Sequence, residues 1–431
     1  MVTAKMTLDI HDYMLAYEQT INNVKGSALS QRNVDLIFAY RDACLLNQVC
    51  GKPRLIRAMQ GLIWFGRQLG KDFDKAEKDD IRRVIADMLN RQPSYSPETI
   101  KTKKAIIKRF MTWLSMPDQF PNAKPPEIVS WIKINIKAKD EKKLQRKDLL
   151  TPQDIEALLH SCHNPRDKAL ISILWETGAR IAEVGNMQIK HITKAKHGYV
   201  LDLTGKTGQR SPLIISSAPF LSQWLNMHPF KDNPESPLWV HYQYANQPML
   251  LRYSTIRSLL RRHFRRAGIQ KPFHPHIFRH SRATYVLANA IFNESQAKAY
   301  FGWAADSRML ATYSHLIDQD ANNAVLRENN LTTVQKQQEE LKPTECRICG
   351  ELNQPKSEYC IKCGAVLDMK KAYEHQTLHQ LKEEVFLNLF KILVEKGLVD
   401  EAAKEIHEAG LGPKLQRLAQ HISQEKPISQ P

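Results

Sequence analysis

Five short segments of this 431-residue chain hold side chains that could make and break a covalent bond. They are Thr177-Gly178-Ala179-Arg180 with Glu183 just beyond, Gly205-Lys206-Thr207-Gly208, His276-Ile277-Phe278-Arg279-His280, Phe301-Gly302-Trp303, and Thr312-Tyr313-Ser314-His315. A guanidinium fork binds two non-bridging phosphate oxygens and stabilises charge developing on them. His and Lys move protons, and a Tyr hydroxyl forms covalent intermediates. Together the set suits attack by a tyrosine on a phosphodiester, and it contains no carboxylate cluster for magnesium. Two other readings fail. Gly205-Lys206-Thr207 would need a glycine at Val200 and a helix start at Pro212 to be a nucleotide-binding loop. His276 and His280 stand at helical metal spacing, but Ile277 replaces the glutamate of a zinc protease, and Arg279 would repel a dication.

A second constellation is Cys346-x2-Cys349-x10-Cys360-x2-Cys363, with Gly350 and Gly364 directly after the pairs. Thiolates at this spacing hold zinc, and each knuckle needs backbone freedom near the metal. The unit resembles a zinc ribbon. Its charges nearly balance, with Lys342, Arg347, Lys356 and Lys362 against Glu345, Glu351 and Glu358, which favours a fold staple or protein contact over DNA. Cys44, Cys50 and Cys162 have no such partners and read as ordinary thiols.

The elements that must carry these groups follow from periodicity and breaks. Residues 7–135 read as helical, with breaks at Asn47–Lys52, Lys71–Asp74 and Pro93–Pro97. Ser96 caps a helix that turns Ile100, Ile107, Phe110 and Leu114 one way and Lys101, Lys104 and Lys108 another. Ten Lys and one Arg against five acids between 97 and 145 make the lysine face a candidate for phosphate contact. Residues 136–148 have linker composition. Thr151 caps the first helix of a new domain spanning 149–326, and strands around 199–203 and 212–216 flank the Lys206 turn as a hairpin. From Ser236 to Asn293 the chain has 58 residues, eight Arg, one Lys and no acid. Arg257, Arg261, Arg262, Arg265 and Arg266 share one helix there; like charges at that spacing repel, which points to a nucleic-acid surface. A polar spacer occupies 327–343, the cysteine unit 344–368, and C-terminal helices 369–422, ahead of a disordered tail at 423–431. The helices carry an apolar stripe of Leu378, Leu381, Val385, Leu389 and Ile392, widened by Phe386 and Leu393, which must pack on something.

A net charge of +17 makes a polyanion the leading partner. The first residues lack the apolar core of a signal peptide, and no run of 18 apolar residues exists, so the expectation is a soluble, cytoplasmic protein without membrane contact.

The ordered set TGAR-x-x-E, G-K in a hairpin, H-x-x-R-H, G-W and T-Y-x-H resembles the tyrosine recombinase (phage integrase) family, strongly over about 149–320. Residues 7–135 are similar to its core-binding domain in composition and position. The spelling of 302–309, G-W-x-x-D-S-x-M, resembles archaeal members. The resemblance implies a mainly α fold with a small antiparallel sheet: a helical DNA clamp and a mixed α+β catalytic domain. It implies phosphate clamping by Arg180 and Arg279, protonation of the leaving 5′-oxygen by Lys206, a second-box role for His276, Trp303 at a position more often His, and Tyr313 as nucleophile. Glu183 would orient the site, with His280 and His315 in support. It further implies strand exchange through a 3′-phosphotyrosyl link without a catalytic cofactor, on double-stranded attachment sites, by a homotetramer holding two duplexes for a mobile element, with a host accessory factor left open. The first box departs from the family at Met187 and His191, where Leu and Asp are usual. A type IB topoisomerase and a non-catalytic DNA-binding regulator remain the alternatives.

Overall fold

The computed structural model describes residues 8–135, 145–205, 208–242, 247–289, 291–304, 306–307, 329, 342–368 and scattered positions between 373 and 398. Its chain divides into two compact units, 1–340 and 341–431.

The first unit begins with six helices: α1 (Tyr13–Lys25), α2 (Gln31–Leu46), α3 (Lys52–Leu69), α4 (Lys78–Asn90), α5 (Pro97–Ser115) and the single turn α6 (Glu127–Ser130). Side-chain oxygens of Asp12, Ser30 and Ser96 accept the first free amides of α1, α2 and α5, and each such cap stabilises its helix by about 1 kcal/mol. Leu55, Met59, Leu62, Phe65, Phe73 and Phe110 are sealed in one apolar core drawn from these helices. On α5, Ile107 and Phe110 are buried as expected. The lysine face divides: Lys101 is exposed, whereas the Lys108 ammonium donates to the carbonyls of Ser130 and Ile132. Lys108 thus also holds a neighbouring turn.

Among the described residues, the remainder of the unit comprises α7 (Pro152–His160), α8 (Pro165–Thr177), α9 (Ile181–Gly185), five short strands, α10 (Ala218–Met227), α11 (Tyr253–Arg266), α12 (Ile277–Ala288) and α13 (Glu294–Phe301). Helix α8 is the hub: Leu170, Ile171, Ile173 and Leu174 are fully buried, and α7, α9, α10 and α12 pack against it. The strands are β1 (Ile192–Ala195), β2 (Gly198–Leu201), β3 (Leu203–Gly205), β4 (Gly208–Arg210) and β5 (Leu213–Ile214). An antiparallel sheet runs in the order β1-β2-β5, and β3 pairs with β4 as a separate ladder. The expected hairpin is present, as the β2–β5 and β3–β4 pairs; β1 is an addition to it. Residues before α1 strap onto this region. Ile10 is 1% exposed, its amide donates to Asn186 Oδ1 and its carbonyl accepts from the Tyr253 amide. A Cβ on Gly185 would come within 2.7 Å of Ile10, so glycine is what admits the strap.

The second unit opens with β6 (Thr344–Glu345) paired to β7 (Leu352–Asn353). Beyond it, Leu381, Val385, Phe386, Leu389 and Ile392 are each 44–55% exposed, so the described part of the apolar stripe stands open. Among the described residues no helix is long and apolar enough to cross a membrane. Residues 136–144 of the expected linker at 136–148, most of the spacer, Leu378, Leu393 and the tail lie outside the described residues.

Candidate active site

Helix α8 ends at Gly178, whose left-handed φ of +54° turns the chain sharply; a Cβ there would lie 2.6 Å from the Phe301 ring. The turn delivers Arg180 as the N-cap of α9. Glu183, on the first turn of α9, reaches back to it: the Arg180 amide donates to Oε2 at 3.1 Å, and Nη1 donates to Oε1 at 2.6 Å. Glu183 is sealed while Arg180 keeps 30% of its side chain exposed, so the carboxylate holds the base of a guanidinium that can still meet an anion.

Arg279 on α12 is 1% exposed. Its Nη1 donates to the Gly178 carbonyl at 3.1 Å and its Nη2 to the Phe301 carbonyl at 2.7 Å. One side chain thus joins segments 101 and 22 positions away. Its guanidinium lies 5.7 and 5.8 Å from the rings of Phe301 and Trp303, which stack on each other at 5.0 Å.

His276 occupies the position before the first turn of α12, and its ring stands edge-on to His280 at 4.8 Å. The protein packed round the ring, then His280, Arg279, Arg180 and His274, lower its pKa to about 4. The residue reaches solvent, so positive neighbours as well as partial burial keep the imidazole neutral. Burial, then His274 and Arg279, bring His280 to about 4 as well. Arg180, His276, Arg279 and Trp303 are thus gathered into one region with Glu183 and His280 behind them. Lys206, Tyr313 and His315 lie outside the described residues.

Several contributors had no signal in isolation. Arg210 on β4 is 9% exposed and donates from Nη2 to Glu183 Oε2 at 3.0 Å. Its Nη1 meets the Tyr300 carbonyl. Burial acts to raise the Glu183 pKa, but Arg210 and Arg180 overcome it and hold the carboxyl below its ordinary value. Glu176 accepts the amides of Ile215, Ser216 and Ser217 at 2.6–2.9 Å, and its carbonyl accepts from the Tyr300 hydroxyl and Arg282 Nε. It pins the sheet to the end of α8.

A Ser161–His263–Asp167 chain resembles a hydrolytic triad in order only. His263 is 1% exposed and the Ser161 hydroxyl donates to the Leu158 carbonyl, so these groups hold α7, α8 and α11 together. Burial and Asp167 push the neighbouring Cys162 thiol up to about 12, which silences it as a nucleophile. Arg257, Arg261, Arg262, Arg265 and Arg266 are all exposed on α11, opposite its buried face of Ile256, Leu259, Leu260 and Phe264.

In the second unit, Cys346 and Cys363 sulfurs stand 3.6 Å apart, as do those of Cys349 and Cys360. All four lie within 4.8 Å of one another. Zinc–sulfur bonds of about 2.3 Å set tetrahedral edges of about 3.8 Å, so the donor set fits that metal. Gly350 and Gly364 have φ of +69° and +73°, the knuckle conformation the spacing demands.

The family model described as "Phage integrase family" matches residues 148–320. The tyrosine recombinase XerA of Saccharolobus solfataricus is 24% identical over 269 residues, 60% of this chain and 81% of its own. Transposase A from transposon Tn554 of Staphylococcus aureus is 22% identical over 267 residues, 56% of this chain and 72% of its own. Among solved structures, the XerH site-specific recombinase bound to palindromic difH substrate shares the fold with a TM-score of 0.50 at 17% identity, covering 76% of this chain and 98% of that one. The lambda integrase bound to DNA does so with a TM-score of 0.50 at 12% identity, covering 67% and 96%. Over residues 148–320, the chain is thus similar to the tyrosine recombinases of the phage integrase family.

Proposed function

We propose that this chain cuts and rejoins DNA at specific sites through a 3′-phosphotyrosyl intermediate, in the service of a mobile element. The Tyr313 oxygen bonds to the scissile phosphorus as the P–O5′ bond breaks. Lys206 gives a proton to the departing 5′-oxygen, and neutral His276 takes the tyrosyl proton. Arg180 and Arg279 offset the charge gained by the non-bridging oxygens, and Trp303 packs beside them. The phosphoester bond is conserved in the link, so a second duplex's 5′-hydroxyl reverses the step without an energy source. A homotetramer would hold the two duplexes, and the four cysteines would hold structural zinc. Likeness to a transposon's transposase supports the mobile-element reading.

The observation that carries the proposal is the Arg279 junction, which ties the Gly178 turn to the Phe301–Trp303 segment beside Arg180. The test is covalent capture from a pool of nicked duplexes of randomised sequence, whose recovered members also define the site. Tyr313→Phe should abolish the adduct while DNA affinity stays within about twofold, because only the nucleophilic oxygen is lost. An adduct that survives in the Phe variant would assign the nucleophile elsewhere. Relaxation of a supercoiled circle without exchange between duplexes would favour the topoisomerase reading.

A further inference from the structure

We propose that Arg210 is a positioning residue: it anchors the β3–β4 hairpin to Glu183 and Tyr300, and so fixes the two strands that flank Lys206 in the chain. The inference rests on Lys206 as the general acid and adds to that reading the device that aims it.

A ladder of two three-residue strands has little stability of its own. Its register pairs Leu203 with Arg210 at the base and Gly205 with Gly208 at the tip. The tip's direction must therefore come from contacts outside the ladder, and both strands find them on one carboxylate. From β4, Arg210 Nη2 donates to Glu183 Oε2, while Glu183 Oε1 accepts from Arg180. From β3, Gly205 approaches so closely that a Cβ would lie 2.5 Å from Glu183 Oε1. Lys206 is the next residue in the chain. Arg210 Nη1 meanwhile holds the carbonyl of Tyr300, three residues before Trp303. Arg210, its side chain 9% exposed, spends both terminal nitrogens on these two acceptors. It acts through what it holds. Lysine could keep one of these bonds, but only the planar fork spans both acceptors.

The experiment compares wild type, Arg210→Met, Arg210→Lys and Lys206→Ala on the duplex recovered by covalent capture, with oxygen or sulfur as the bridging 5′ atom. Sulfur leaves without protonation, so it relieves any defect in the general acid or its aim. Arg210→Met should slow cleavage of the oxygen duplex by on the order of tenfold to a hundredfold, less than the full loss of a general acid. On the sulfur duplex it should return to within about threefold of wild type, with DNA affinity unchanged throughout. Equal slowing on both duplexes, with Lys206→Ala relieved by sulfur, overturns the proposal. If sulfur fails to relieve Lys206→Ala itself, the general-acid assignment fails and the proposal falls with it. Should Arg210→Met lose its cooperative thermal transition, Arg210→Lys decides by the same oxygen-to-sulfur ratio. Wild-type rates for both Arg210 variants on the oxygen duplex also overturn it.

Discussion

Burial, with positive neighbours, keeps the His276 and His280 rings neutral. His276 and His280 are lowered to about 4 from an ordinary value of 6.5. Between those values the folded chain binds fewer protons than the unfolded one, so stability rises with pH across the window and falls as pH drops through it. Glu183, held below its ordinary 4.5, adds to the loss only below that value. The DNA-free protein should therefore lose thermal stability from about pH 7 to about pH 5, and the double variant His276→Asn with His280→Asn should flatten the curve. A melting midpoint that falls equally in the variant would place the pH response outside this pair. At this scale the sequence is partly legible. Arg180, Glu183, His276 and Arg279 announce themselves by type and spacing, and the structure gathers them. Arg210 and Glu176 do not, because an Arg four residues past a turn and a Glu near a helix end have no identity until the chain closes on them.

Helices whose pattern is written locally are the ones that periodicity locates. The breaks at Asn47–Lys52 and Pro93–Pro97 fall between helices, and Ser96 and Thr151 cap as their residue types imply. Strand β1 escapes a sequence reading because its four residues carry no alternation strong enough to separate them from a loop, and only pairing with β2 makes them a strand. The place of Lys108 in a lysine face likewise says nothing of the carbonyls of Ser130 and Ile132, which another part of the chain brings to it. Helix α11 is legible on both faces, since Ile256, Leu259, Leu260 and Phe264 fill the core while its five arginines face solvent. An exposed row of like charges is unfavourable for the free helix and becomes favourable against phosphates. Replacing Arg261 and Arg265 together with Gln should reduce the slope of log affinity against log salt by about 0.9 for each phosphate that is no longer neutralised. The check is fluorescence anisotropy on a labelled duplex over a salt series. An unchanged slope would leave this helix face as solvated surface.

For the whole molecule, the arginine helix and the cysteine cluster fall in different units. The first carries the active-site residues and the arginine helix. The second carries a cysteine cluster with balanced charge, knuckle-side Ile348 and Ile361 exposed at 78% and 67%, and a stripe of Leu381, Val385, Leu389 and Ile392 open to solvent. Surface of that kind gains little from a phosphate backbone and much from an apolar partner, at about 25 cal/mol for each Å2 covered. The second unit should therefore serve protein contact within the assembly. A chain ending at Thr344 should cleave a single site at the rate of the full chain, yet form the complex of two duplexes only at higher protein concentration. The measurements are adduct yield on one captured duplex and sedimentation of the paired-duplex complex, alongside metal analysis. The full chain should retain about one zinc per molecule, and the shortened chain none. Loss of affinity for a single duplex, with normal pairing at saturating protein, would reverse the assignment and make the second unit a reader of DNA.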